Sequence, residues 1–300
     1  MRRREFISSS VLFLPGACAS LPPPEPKAPA SPFESGCAAL ERENGGRLGV
    51  AIIDTASGRR AAWRGDERFP LCSTFKLPLA GAVLARVDAG KVALDGRVRF
   101  GRRDLVPYAP VVEKELARGW MTIEALCVAA VTVSDNAAAN LLLGRIGGPP
   151  ALTAFLRSLG DAVTRLDRIE PALNAVAPGD ERDTTSPGAM AETVRRLLLG
   201  GDGGDPLSPR SRERLVTWAM GTSTGPGRLR AGLPAPWPLA HKTGTGEEAS
   251  NDVGVAWAPG GPLVVSAYYV APGVSPPARE AVLAGVGRLA GYFRDTAHTP

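Results

Sequence analysis

The sequence predicts an α+β fold: one antiparallel sheet built from both chain ends and flanked by helices, with an all-helical lobe inserted between the ends. Two observations predict it. Alternating, β-branched-rich segments occur near both ends, at residues 47–55 and again within 240–270. Between them, from Ser73 to about Gly200, apolar residues recur mainly at helical spacing.

Taken in order, residues 33–44 read as a helix that stops at Gly45-Gly46. Residues 47–55 form a strand, Ser57-Gly58 a turn, and 59–63 the returning strand. Candidate helices follow at 73–88, 122–132, 135–146, 149–159 and 186–199. Pro78 lies one turn inside the first and predicts a distorted start there. Ser186-Pro187 supplies a cap and an N1 proline for the last. Residues 161–185 show no strong period and carry charges and prolines; so long a loop inside a compact domain is usually functional or disordered. A helix at 208–219, strands at 240–245, 252–258 and 263–270, and an amphipathic helix at 276–292 complete the chain. The α/β part is therefore expected at about 33–70 and 206–296, and the helical lobe at about 71–205.

Length and composition narrow the function. A chain of 300 residues, 44% hydrophobic and 22% charged, is ordinary for a globular enzyme. Its net charge of +5 falls to +3 without the first nineteen residues, too mild and too scattered for a nucleic-acid binder. Two histidines and four scattered cysteines argue against a catalytic zinc.

The chain opens as an address. Arg2-Arg3-Arg4, Glu5-Phe6-Ile7 and a short apolar run to Leu14 have the layout of an export signal, too short to span a membrane. The paired arginines resemble a twin-arginine signal. Ala17-Cys18-Ala19 offers cleavage after Ala19; lipidation at Cys18 is the rival, to which Pro15 is a poor fit. Residues 1–19 thus read as signal, 20–32 as a proline-rich tether and 33–300 as the functional domain, with periplasmic location expected. Cleavage after Ala19 leaves Cys37, Cys72 and Cys127, either with two paired or as three small buried thiols.

Three short motifs carry chemistry. In Ser73-Thr74-Phe75-Lys76 the serine and lysine share one helix face, so an amine can activate a hydroxyl. A histidine-based triad would have to rest on His241, since His298 is three residues from the end. Ser134-Asp135-Asn136 lies between two helical runs, where it caps a helix or places a second hydroxyl beside the first. Lys242-Thr243-Gly244-Thr245-Gly246 reads as a strand that ends in a glycine turn, or as a cation and two hydroxyls on a sheet edge beside a cleft. Each is weak alone; their order is that of class A β-lactamases and penicillin-binding proteins.

On these residues the chain resembles the active-site serine β-lactamase and penicillin-binding protein superfamily, with a β-lactamase/D,D-transpeptidase-like fold. Glu170-Pro171-Ala172-Leu173-Asn174 resembles the E-x-x-L-N element of the class A Ω loop, and Arg168 with Asp183 resembles the ion pair that closes it. The resemblance implies Ser73 as nucleophile, Lys76 or Glu170 as acylation base, Ser134 as proton donor to the lactam nitrogen, and Lys242 as its electrostatic support. It implies Glu170 and Asn174 around a hydrolytic water, and backbone N–H groups of Ser73 and Thr245 as the oxyanion donors. Asn136 would bind the substrate's side-chain amide; Thr243, Gly244 and Thr245 would line its other edge. No arginine follows Lys-Thr-Gly, so Arg228 is expected to bind the substrate carboxylate with Thr243 and Thr245, against the alternative of a surface arginine. Tyr108 resembles the aromatic at the cleft mouth, against ordinary packing. Cys72 precedes the nucleophile, but Gly246 stands where some carbapenem-hydrolysing members carry the partner cysteine. The implied partners are a small-molecule β-lactam and water, with no metal, no cofactor, no nucleic acid, no stable membrane insertion and a monomeric state. The alternatives are a D,D-peptidase or other penicillin-binding protein, and a non-hydrolysing β-lactam sensor domain.

Overall fold

The computed structural model describes residues 31–295 except 176, 178, 202 and 203; the expected export signal, Cys18, His298 and most of the tether lie outside them. Helix α1 (Pro32–Asn44) starts at Pro32, because Ser31 and Glu34 form a reciprocal capping box ahead of an N1 proline. Strands β1 (Arg47–Asp54) and β2 (Arg60–Trp63) form a hairpin, and β3 (Phe69–Pro70) leads to the Ser73 segment.

Next come α2 (Lys76–Asp88), β4 (Arg97–Arg99), β5 (Trp120–Thr122), α3 (Ile123–Thr132), α4 (Asn136–Ile146) and α5 (Gly148–Ser158). Strand β6 (Thr184–Thr185) and helices α6 (Pro187–Leu198), α7 (Pro209–Met220) and α8 (Leu229–Gly232) follow. Strands β7 (Leu239–Thr245), β8 (Ala249–Ala258) and β9 (Gly261–Val270) precede α9 (Pro276–Asp295).

The distortion at Pro78 takes a definite form. Cys72–Phe75 is a 3-10 turn, and α2 begins only at Lys76. Pro78 then sits in the first helical turn, where its missing N–H would have had no intrahelical partner.

The main sheet has strand order β2-β1-β9-β8-β7, every pair antiparallel. Both chain ends thus build it. Strand β1 is buried on both faces: Leu48, Val50 and Ile52 join the core of α1 and α9, while Ala51 and Ile53 join the core containing α2 to α7. Such strands read as continuous apolar runs. Two pairings escape the sequence periodicity. β3–β6 sets Phe69 opposite Thr185, and β4–β5 sets Val98 opposite Met121. The first ties the stretch entering Ser73 to the far end of the 161–185 loop. Leu71 N–H donates to the Asp183 carbonyl at 2.9 Å, and Arg165 N–H to that of Thr184 at 3.0 Å.

Candidate active site

Ser73 sits in the 3-10 turn Cys72–Phe75, in which Thr74 N–H donates to the Leu71 carbonyl at 3.2 Å. Its hydroxyl stands between two groups that could take its proton. Lys76 Nζ donates to Ser73 Oγ at 2.8 Å, and Ser73 Oγ donates to Glu170 Oε1 at 3.1 Å. Lys76 Nζ is also 3.0 Å from Glu170 Oε1, and donates to Asn136 Oδ1 at 2.5 Å and to the Ser134 carbonyl at 2.9 Å. Burial of the Lys76 ammonium outweighs the attraction of Glu170 and holds its pKa below the usual lysine value.

Ser134-Asp135-Asn136 fills both readings of the motif at once. Asp135 caps α4 through Ala138 N–H and also accepts from Val111 and Val112 N–H. This anchoring points the flanking residues into the cleft. Ser134 takes a left-handed φ of 63°, uncommon for a non-glycine residue. Its Oγ accepts from Lys242 Nζ at 3.1 Å and Lys76 Nζ at 3.3 Å. Lys242 is fully buried; burial, then the neighbouring Lys76 and Arg228, hold its pKa well below the ordinary value.

Strand alternation separates Lys242 from His241. His241 Nδ1 bonds Asp252 Oδ1 at 2.7 Å, and Leu239 on the same face belongs to the core of α1 and α9. A histidine triad with Ser73 is thereby excluded. At Gly244 a Cβ would meet the Leu71 carbonyl oxygen at 3.0 Å and Thr74 Cγ2 at 3.1 Å, so a larger residue there would push β7 and the Ser73 turn apart by a few tenths of an ångström. A Cβ at Gly246 would lie 3.1 Å from Cys72 Sγ. Cys37, Cys72 and Cys127 are all free and buried. Burial pushes the Cys37 and Cys72 thiols up to about 12, and Cys127 higher.

The loop at 161–185 carries Glu170, which is 2% exposed. The Glu170–Pro171 peptide is cis. Asn174 Nδ2 donates to Glu170 Oε2 at 2.7 Å, and Asn174 Oδ1 is buried with no partner among the described residues. Asp183, fully buried, accepts from Arg168 Nε at 2.5 Å and from the N–H groups of Asp167 and Arg168. The pair thus joins a half-buried Arg168 to a fully buried Asp183 and is not a solvated surface pair.

Arg228 is 4% exposed, which removes the surface-arginine alternative. Its Nη1 donates to the carbonyls of Gly244 and Asn251, Nη2 to Thr245 Oγ1 at 2.8 Å, and Nε to Glu280 Oε1 at 3.1 Å. Among the described residues one Nη2 hydrogen has no protein partner. Tyr108 is 59% exposed at a φ of 64°, on the rim rather than in the core.

Ser73, Tyr108, Ser134, Asn136, Asn174, Arg228, Thr243 and Thr245 line one cleft of about 680 Å³ with Pro110, Val133, Ser223, Thr224 and Gly225. Lys76 and Glu170 adjoin it through Ser73, and Lys242 through Ser134. Two contributors have no place in the motifs. Asn140 accepts from Glu170 N–H and donates to the Glu170 carbonyl, both at 2.9 Å. Its signal was its spacing: it lies one helical turn after Asn136 on the same face. Glu280, from α9, has no signal short of the fold itself.

A family model described as the β-lactamase enzyme family matches residues 32–292. β-Lactamase L2 of Stenotrophomonas maltophilia is 50% identical over 256 residues, 84% of this chain and 83% of its own. The carbapenem-hydrolyzing β-lactamase KPC of Klebsiella oxytoca is 47% identical over 264 residues, 87% of each chain. Among solved structures, the class A β-lactamase of the last common ancestor of Gram-negative bacteria aligns with a TM-score of 0.84 at 57% identity, covering 89% of this chain and all of its own. The putative class A β-lactamase PenP of Rhodopseudomonas palustris aligns at 0.84 and 51% identity, covering 87% and 99%. With its serine–lysine–glutamate centre and these relatives, the chain belongs to the β-lactamase enzyme family, in class A.

Proposed function

We propose that this class A β-lactamase opens the amide bond of penicillins and cephalosporins by acyl transfer to Ser73 Oγ and frees the enzyme with a water activated by Glu170, an activity that confers resistance to these antibiotics. The observation that carries the reading is the placing of Ser73 Oγ between Lys76 Nζ at 2.8 Å and Glu170 Oε1 at 3.1 Å. Attack of Oγ on the lactam carbonyl requires its proton to leave. Glu170 accepts that proton in the orientation observed, while Lys76 donates to Oγ and holds the developing charges together. The negative charge on the carbonyl oxygen falls to backbone N–H groups of Ser73 and Thr245. Ser134, held by Lys242, delivers a proton to the lactam nitrogen as the C–N bond breaks, and the proton taken by Glu170 passes through Lys76, 3.0 Å from Glu170 Oε1 and 3.3 Å from Ser134 Oγ, to restore the Ser134 hydroxyl and the Glu170 carboxylate.

Hydrolysis of the acyl-enzyme needs a proton acceptor beside a water, and the restored Glu170 carboxylate is placed for it. Glu170 is clamped through its backbone by Asn140 and through Oε2 by Asn174. The unpartnered Asn174 Oδ1 is a ready acceptor for that water. Arg228, with Thr243 and Thr245, binds the substrate carboxylate, and Asn136 its side-chain amide. A penicillin-binding protein or sensor domain has no use for the Glu170–Asn174 arrangement.

The site calls for no metal and no organic cofactor. Export by a twin-arginine signal, action in the periplasm and a monomeric state complete the reading; no described helix is long and apolar enough to cross a membrane. Steady-state assays with a penicillin and a cephalosporin test the activity: release of the ring-opened acid supports it, and an unchanged substrate opposes it.

A further inference from the structure

A second concavity, of about 700 Å³, lies behind the active-site loop between strand β4 and helix α4. That size is typical of small-molecule sites, which span about 300–1,000 Å³. Four arginines line it, Arg97, Arg99, Arg103 and Arg145, against one carboxylate, Asp104. Arg97 and Arg99 share one face of β4, with buried Val98 between them pointing the other way. Arg145 comes from the last turn of α4.

These cations are not spent on one another's neighbours. Among the described residues Arg99 and Arg145 have no carboxylate partner. Asp104 Oδ2 accepts from Gly101 N–H at 2.8 Å; Arg103 approaches it only to 3.9 Å, with a side chain 92% exposed. The Arg97 guanidinium lies over the Trp120 ring, 4.0 Å from its centroid. Stacking fixes the plane of a guanidinium while its N–H edges stay free. Val106, Leu141 and Ile169 give the lining its apolar part, and Gly144 adds an open position, where a Cβ would meet nothing within 4 Å.

We infer that this groove binds a small organic anion that carries a phosphate group on an apolar body. Planar guanidinium forks match phosphate oxygens two at a time, and four arginines on one lining suit more than one acidic oxygen. Leu141 and Ile169 accept the apolar portion; Ile169, 47% exposed, is otherwise an unexplained apolar side chain. A concave pocket favours a soluble ligand over a membrane surface.

The site also touches the catalytic loop. Ile169 immediately precedes Glu170, and Asn140 in the groove wall clamps the Glu170 backbone at 2.9 Å. Occupancy therefore restrains the residue that activates the deacylating water. This link rests on the role proposed for Glu170; the binding itself does not.

Calorimetry with phenyl phosphate, with inorganic phosphate as the arm lacking an apolar body, tests the site. Binding of phenyl phosphate at one site per chain is expected, tighter than that of inorganic phosphate. It should weaken about tenfold or more in Arg99→Glu, where a charged hydrogen bond is lost. Gly144→Leu should weaken it by adding a bulky side chain to the lining while favouring the helix. The deacylation rate of the parent enzyme should change with the same half-saturation as binding. Affinity unaltered by both substitutions, or adsorption to phosphatidylglycerol vesicles without binding of phenyl phosphate, overturns the site. Binding that leaves deacylation untouched overturns the link to Glu170.

Discussion

Glu170 Oε1 stands 3.1 Å from Ser73 Oγ, in direct hydrogen-bond contact with the hydroxyl proposed as the nucleophile, and is itself the base proposed for deacylation. Removal of the carboxylate should separate the two steps. Glu170→Ala is expected to retain covalent labelling by a penicillin, through Lys76, and to lose about 10²–10⁴-fold in kcat. Intact mass after mixing should show a persistent adduct; normal turnover by the variant would contradict the deacylation role.

Asn140 tests how far that carboxylate depends on its backbone clamp. Asn140→Ala leaves the Glu170 N–H and carbonyl without their partner, at a cost of about 1–3 kcal/mol in stability. Deacylation should slow more than acylation, measurable by single-turnover kinetics; equal slowing of both steps would reduce Asn140 to a structural role.

Asp183 closes the loop from inside. Asp183→Ala strands Arg168 and two N–H groups and should cost about 3–5 kcal/mol, as when one partner of a buried pair is removed. Its φ of 56° adds to the demand, since alanine tolerates the left-handed region less well than aspartate or asparagine. Asp183→Asn keeps the conformation and should recover part of the loss. Chemical denaturation of both variants, with deacylation rates, gives the comparison; an Asp183→Ala enzyme with parental stability and kinetics would contradict it.

The buried ammonium of Lys242 sets a pH dependence of stability. Its folded pKa lies well below the unfolded value of 10.5, so between the two the unfolded chain binds more protons and stability rises with pH. The cost of burial is therefore greatest below the folded pKa and vanishes above 10.5. Lys242→Met removes the charge. It should abolish efficient acylation, yet exceed the parent in stability by about 1 kcal/mol or more near neutral pH. The gain should shrink toward pH 10.5; a gain that grew with pH would contradict the sign.

Arg228 offers a single free N–H to the cleft. Arg228→Ala should raise KM about 10- to 100-fold, the equivalent of one charge-assisted hydrogen bond, with kcat less affected. An unchanged KM for both penicillins and cephalosporins would remove Arg228 from carboxylate binding.

Much of this could be read from the chain, for identifiable reasons. The terminal strands β1 and β8 run for eight and ten residues, and α6 carries its helical period over twelve. Ser186-Pro187 caps α6 as local chemistry dictates, through Ala189 N–H. The elements that escaped are short or non-local. β3 and β6 have two residues each, β4 and β5 three, and each pair is joined across many intervening residues. The four-residue α8 is too short for any period. In the site, the Ser73–Lys76 contact follows from a local three-residue spacing, whereas Ser134, Glu170 and Lys242 were expected there only from the resemblance of their short motifs, and the fold brings them within hydrogen-bond reach of that pair or of one another. Asn140 as a backbone clamp, Glu280 as the anchor of Arg228, and the burial of the Arg168–Asp183 pair depend on which elements the fold brings together.

The most direct test of the central claim is to mix the purified chain with a chromogenic cephalosporin, and then to record intact mass after adding a penicillin. The arrangement of Ser73, Lys76 and Glu170 predicts many turnovers per chain and little lasting adduct. A stoichiometric adduct that persists for hours would contradict it, and would place the chain with proteins that are acylated and then stall.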